Sequence, residues 1–181
     1  MTHIANLITI SRIILIVPIL LLFSEEKNFS NWIALFLFVL AGITDTLDGY
    51  IARKTGTQSS LGALLDLMAD KLLVVITTSY LISYETNEYL LIPAMIIISR
   101  ELIISSFRQF LTEQEGSNPV KVSFIAKSKT TLQITALSFL IISSNFGEVF
   151  NFLTICLFWL AAFASIYSFL GYLKTYKNYI K

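Results

Sequence analysis

Charge is scarce in this 181-residue chain: 14% of its residues are Asp, Glu, Lys or Arg, where a globular domain in water carries about 25%. So few charges cannot cover a water-facing surface. With 55% hydrophobic residues and a mean hydropathy of +0.73, the main solvent of the chain is lipid. A single Cys, Cys156, excludes an internal disulfide scaffold. The lone His3 excludes a histidine-based metal site and a Ser-His-Asp triad. Seven Gly and three Pro are too few for collagen-like or low-complexity sequence, and no Gly-rich phosphate loop occurs. Thirteen Lys+Arg against twelve Asp+Glu give a net charge of +1, with no basic run longer than Arg53-Lys54. Nucleic acid is therefore not an expected partner.

What is abundant is uninterrupted apolar sequence. A membrane-spanning helix needs roughly 20 residues, at about 1.5 Å each, to cross a hydrocarbon core about 30 Å thick. Six windows qualify: Leu7–Phe23, Trp32–Ala52, Leu61–Ile82, Tyr89–Leu111, Ser123–Ser144 and Val149–Tyr172. The expected fold is an all-α polytopic membrane protein, with residues 1–181 as a single domain. The first window is read as a retained helix: no basic residue precedes it, Arg12 lies inside it, and Ser24-Glu25-Glu26 is no small-residue cleavage site. With the N-terminus inside, the outer loops hold only Lys27 of the basic residues, beside Glu25, Glu26, Glu85, Glu88 and Glu148. The positive-inside rule then places both termini in the cytoplasm.

The informative residues are the ionisable ones within apolar windows: Asp45, Asp48, Asp66, Asp70, Arg100, Glu101 and Arg108. Each Asp at mid-membrane costs about 2.5–3.5 kcal/mol, so something must compensate them. Counted from the outer helix ends, Asp45 and Asp48 lie roughly 20 and 24 Å deep, and Asp66 and Asp70 roughly 24 and 18 Å. Arg12, Arg100, Arg108, Lys127 and Lys129 fall at roughly 16 to 27 Å, so the first five spans share a polar layer in the cytoplasmic half. The sixth adds no charge between Glu148 and Lys174. Asp45 and Asp48 are three apart, and Asp66 and Asp70 four apart, which puts each pair on one helical face. Four converging carboxylates repel one another, and two divalent cations with a taste for hard oxygen ligands, Mg²⁺ or Mn²⁺, would balance them. Such a metal pair suits displacement at phosphorus. Structural ion pairs with Arg100, Arg108 and Lys71 are the plain alternative. An ion-coupled transporter is another, although no Gly/Pro-interrupted helix pair or inverted repeat supports it.

Written out, the stretch is Asp45-x2-Asp48-Gly49-x2-Ala52-Arg53-x8-Gly62-x3-Asp66-x3-Asp70. At every defined position it resembles the signature of the CDP-alcohol phosphatidyltransferase superfamily. The resemblance implies that Asp45, Asp48 and Asp66 hold divalent metals, with Asp70 completing the second site and acting as general base. It also implies that Gly49, Ala52 and Gly62 let a CDP group approach the backbone while Arg53 lies near its phosphates. Close helix packing is the competing use of Gly49 and Gly62, and cytoplasmic anchoring that of Arg53. Lys71 matches nothing in the signature and is expected to snorkel or pair locally.

Other segments bear on the acceptor. Arg100 and Arg108 lie eight residues apart, roughly on one helix face, and Lys127-Ser128-Lys129-Thr130-Thr131-Leu132-Gln133 opens the next span. Together they form a basic cluster suited to an acceptor that carries a phosphate. Anchoring at the cytoplasmic surface is the simpler role for these cations, most of all for Lys127. Glu101 is expected to orient a neighbouring Arg or Lys. These segments, and the opening Asn6-Leu7-Ile8-Thr9-Ile10-Ser11-Arg12, resemble those members of the family that transfer a phosphatidyl group from CDP-diacylglycerol to glycerol 3-phosphate. Asn6, Thr9 and Arg12 are then candidate donor-phosphate contacts. One departure is Ala126, where the usual Gly-Lys-x-Lys-Thr pattern has glycine. Inositol phosphate, phosphatidylglycerol and serine are the alternative acceptors. The resemblance further implies a homodimer in the bacterial inner (cytoplasmic) membrane, among membrane lipids, with the site toward the cytoplasm.

Overall fold

In lipid no water is at hand to satisfy backbone N–H and C=O groups, so long apolar segments resolve into helices. The computed structural model describes residues 2–25, 27–55, 60–84, 87–115 and 124–176, and side chains at 9–25, 27–44, 62, 64–65, 67–84, 87–107, 130–171 and 173–174. The described residues form six α-helices: α1 (Thr2–Ser24), α2 (Asn28–Thr55), α3 (Ser60–Tyr84), α4 (Glu88–Glu115), α5 (Phe124–Ile142) and α6 (Glu148–Tyr176). A single 3₁₀ turn, Ser143–Asn145, joins α5 toward α6, and no strand occurs among the described residues. Each apolar window of the sequence overlaps one helix, the fifth running on from α5 into the 3₁₀ turn.

The helix ends obey ordinary capping chemistry. The Asn87 side chain accepts the backbone N–H of Tyr89 at 3.0 Å, an N-cap contact for α4. Glu88 and Glu148 stand in the first turns of α4 and α6, and Lys174 in the last turn of α6, each favourable to the helix dipole. Hydroxyls inside the helices bond back to carbonyls: Thr78 to Val74 at 2.6 Å, Ser138 to Ile134 at 2.8 Å and Thr154 to Phe150 at 2.9 Å. That local bond lets a polar side chain sit in a lipid-embedded helix.

The helices pack as a ring in the order α1, α3, α4, α6, α5, α2, with α3 and α5 also touching across it. α1 is seated on both α2 and α3, the two helices that carry the signature aspartates. Ile19, Phe38, Leu81, Leu140, Ile141 and Phe158 fill the interior. Ala34, Ala41, Ala69, Ala94, Ala136, Ala161 and Ala162 are buried among them and let helices approach closely, as membrane helices do without a hydrophobic drive between them. Outward-facing residues are equally apolar, among them Ile14, Val17, Phe36, Met95, Phe152, Phe163 and Leu170. In water such a surface would aggregate, and in a bilayer it is simply solvated.

Among the described residues three helices hold a stretch long and apolar enough to cross a membrane, Leu67–Tyr84, Glu88–Phe107 and Glu148–Gly171. Thr9–Ser24 and Asn28–Thr44 are shorter apolar stretches. At the end of the bundle opposite the aspartates, Asn31 donates to Ser144 Oγ at 2.8 Å and to Asn145 Oδ1 at 3.1 Å. Asn145 in turn donates to the Asn28 carbonyl at 3.1 Å. Beside this clip Trp32 meets Phe146 edge-on, and Phe146 and Phe139 each stack on Phe150, with centroids 4.6 and 4.9 Å apart. The clip ties the start of α2 to the turn between α5 and α6.

The contrast between interior and lipid face is measurable. Phe158→Ala, which empties a fully buried site, is expected to cost about 3–5 kcal/mol. Phe163→Ala on the exposed face should stay within about 0.5 kcal/mol. Thermal unfolding of the detergent-solubilised protein checks both, and equal losses would contradict the packing.

Candidate active site

Buried polar side chains gather where α3, α4, α5 and α6 meet, and Glu101 is their centre. One of its carboxylate oxygens, Oε1, accepts Arg100 Nη1 at 2.9 Å and Gln133 Nε2 at 3.2 Å. The other, Oε2, accepts the Lys71 ammonium at 2.5 Å. Arg100 is held from its far side too: Nε donates to the Ser165 carbonyl at 3.2 Å and Nη2 to Ser168 Oγ at 2.8 Å. Gln133 closes the circuit by donating to Ser165 Oγ at 3.1 Å. Arg100 and Glu101 side chains are each 5% exposed. Charges so deeply withdrawn from solvent persist only when their hydrogen-bonding capacity is met in full, and here four helices supply the partners.

The expected pairing of Lys71 and the expected orienting role of Glu101 are both realised in this circuit. Arg100, a candidate ligand of the acceptor phosphate, is also part of this circuit. Its Nη1, Nε and Nη2 donate to Glu101, Ser165 and Ser168. The sixth helix, free of charge in its interior, still contributes Ser165 and Ser168. Sequence reasoning misses these two hydroxyls because serines three apart in an apolar helix read as back-bonding to carbonyls. The available signal is the i, i+3 spacing, which puts both on one face.

Asp70 stands at the edge of the circuit. Its Oδ2 lies 3.5 Å from Lys71 Nζ, and its side chain is 38% exposed against 23% for Lys71 and 5% for Glu101. An aspartate with an open carboxylate and a loosely held ion pair has oxygen lone pairs to offer a hard cation, so the donor chemistry fits a divalent metal. On α1, Thr9 and Arg12 are buried three residues apart, on one face of the helix that rests on α2 and α3. Gly62 is half-buried in the first turns of α3.

The backbones of Asp45, Asp48, Gly49, Ala52 and Arg53 lie in the C-terminal half of α2, and that of Asp66 in α3 one turn before Asp70. The backbone of Asn6 is in α1, that of Arg108 in α4, and those of Lys127 and Lys129 in the first turns of α5. The side chains of these residues lie outside the described set. Among the described residues no group of three or more His, Cys, Asp or Glu forms a metal site.

A model of the CDP-alcohol phosphatidyltransferase family matches residues 2–167. The chain belongs to the CDP-alcohol phosphatidyltransferase family. Of its similar relatives, one from Rickettsia typhi is 41% identical over 182 residues, covering 99% of each chain. Another, from Haemophilus influenzae, is 37% identical over 171 residues, covering 94% of this chain and 91% of its own. A third, from Shigella flexneri serotype 5b, is 36% identical over 172 residues, covering 95% and 93%. All three are named CDP-diacylglycerol--glycerol-3-phosphate 3-phosphatidyltransferase. The signature residues Asp45 to Asp70 all fall inside the stretch matched by the CDP-alcohol phosphatidyltransferase family.

For this family member the buried circuit has a stability consequence. Arg100→Ala leaves Glu101 without its nearest guanidinium and is expected to destabilise the fold by about 3–5 kcal/mol. Ser168→Ala removes one hydrogen bond to a charged group and should cost about 1.5–3 kcal/mol. Thermal unfolding in detergent ranks the two, and an Arg100→Ala protein as stable as the parent would remove the circuit's structural role.

Proposed function

We propose that this chain transfers the phosphatidyl group of CDP-diacylglycerol to sn-glycerol 3-phosphate, giving phosphatidylglycerophosphate and CMP, a step of phospholipid biosynthesis. Near-full-length likeness, at 36–41% identity, to relatives that carry this reaction in their name supports it most strongly. The signature aspartates and the basic segments Arg100 to Arg108 and Lys127 to Lys129 agree with it.

In this reading Asp45, Asp48, Asp66 and Asp70 hold two divalent cations, Mg²⁺ or Mn²⁺. When bound, these ions neutralise the diphosphate and favour departure of CMP. Gly49, Ala52 and Gly62 leave room for the CDP group, and Arg53 faces its phosphates. Asn6, Thr9 and Arg12 support the donor from α1. Asp70 accepts the proton of the attacking hydroxyl; the new bond joins that oxygen to the phosphorus bearing diacylglycerol, and the bond to CMP breaks. Arg108, Lys127 and Lys129 bind the phosphate of the acceptor, the arginine as a fork and the lysines as point charges. Arg100 belongs to the same acceptor-phosphate group, with its guanidinium oriented by Glu101.

The same reading places residues 1–181 as a single domain in the bacterial inner membrane, with six spans, both termini cytoplasmic and the site opening to the cytoplasm. The distribution of Lys and Arg and the bacterial origin of the relatives support this. The working unit is a homodimer among membrane lipids.

Purified protein with Mg²⁺ is expected to release CMP from CDP-diacylglycerol when glycerol 3-phosphate is supplied, and not with inositol phosphate, phosphatidylglycerol or serine. Silence with every acceptor sinks the transferase reading, whereas turnover with another acceptor reassigns only the alcohol. Asp70→Asn should lower kcat by about 10²–10⁴-fold in a folded protein. Lys129→Ala should raise KM for glycerol 3-phosphate about tenfold while leaving KM for CDP-diacylglycerol nearly unchanged, because the ammonium holds one substrate and not the other. The reverse ranking would move Lys129 to the donor side.

A further inference from the structure

We propose that Glu101 is a positioning residue for the cation site: it draws the Lys71 ammonium off Asp70 and so keeps that carboxylate open to a divalent ion. The proposal rests on the reading of Asp70 as a metal ligand.

Lys71 follows Asp70 directly in α3, and two carboxylates share its ammonium. The contact with Glu101 Oε2 is 2.5 Å and that with Asp70 Oδ2 is 3.5 Å, so Glu101 holds the ammonium and Asp70 keeps only a loose contact. Glu101 is well built for this task. It is buried, and its other oxygen is clamped by Arg100 Nη1 and Gln133 Nε2, so its carboxylate cannot follow the lysine. Arg100 is itself fastened to α6 through Ser165 and Ser168. Lys71, by contrast, ends a flexible four-carbon stem with three rotatable donors and can turn to whichever carboxylate is stronger.

An ammonium in full contact with Asp70 would occupy the same lone pairs that a cation needs and offset the charge that attracts it. Asp70 is 38% exposed, so solvent weakens that competition, but at contact distance it persists. The negative charge of Glu101 tilts it the other way. Glu101→Gln keeps an acceptor for Arg100 and Gln133 but no longer outbids Asp70, and Lys71 then closes on Asp70.

The test is Mn²⁺ binding to the purified full-length protein in detergent, followed by electron paramagnetic resonance without substrates. The parent, Glu101→Gln, Lys71→Met and the double variant form a cycle. Glu101→Gln alone is expected to weaken Mn²⁺ binding about tenfold, and in the Lys71→Met background by less than about twofold, a coupling typical of residues in contact. A simple long-range loss of negative charge acts alike in both backgrounds, so equal weakening in the two overturns the proposal, as does no weakening in either. Should Glu101→Gln fail to fold, Lys71→Met decides: with the competing ammonium gone it is expected to bind Mn²⁺ more tightly than the parent, and equal or weaker binding overturns the proposal. A parent protein that binds no Mn²⁺ refutes the cation site itself, a result distinct from either.

Discussion

An ionised side chain held in a lipid-embedded bundle has to find its counter-charge and hydrogen bonds within the protein, because hydrocarbon supplies neither. Glu101 meets that constraint for four helices at once. It pairs with Lys71 of α3 and Arg100 of α4, and accepts Gln133 of α5, while Arg100 reaches Ser165 and Ser168 of α6. Apolar packing brings the helices together but has little directional preference, since lipid tails are as apolar as leucine. A charged circuit does have direction. It sets which faces of α3, α4, α5 and α6 meet, and thereby where Asp70 stands.

The ring order of the helices gives the circuit its place in the molecule. α1 lies on α2 and α3 together, so a single helix supports both segments of the aspartate signature. Its Thr9 and Arg12 are buried. Opposite, α4 and α6 close the ring and carry the Arg100 anchorage. At the end of the bundle away from the aspartates the Asn31, Ser144 and Asn145 clip and the Trp32, Phe146 and Phe150 contacts hold α2 against the α5–α6 turn. One polar end and the polar centre are thus specified by hydrogen bonds, and the space between them by alanine-lined close approach.

Much of this is legible in the residues. Apolar runs of helix length, broken by short polar stretches, foretell six helices within a few residues of their observed ends, because burial in lipid leaves the backbone no other option. The aspartate spacing points to the family, and the matched stretch agrees. Lys71 and Glu101 read as local partners of nearby charges, and they are. What is not legible is who completes the circuit. Ser165 and Ser168 look like ordinary helix serines, and nothing in the sequence around Arg100 announces that they fasten it. Partner choice across 65 or 68 residues of chain depends on helix rotation and ring order, which no local pattern encodes.

The amino-acid sequence by itself determined the solvent, the helices and the family, since composition, run length and residue spacing are properties of a linear chain. Only the tertiary structure decided how its few charges divide. Lys71 could pair with Asp70, its chain neighbour, or with Glu101, thirty residues on. The fold brings Glu101 nearer and clamps it with Arg100 and Gln133, and in a medium of low dielectric the nearer, better-held carboxylate wins the ammonium.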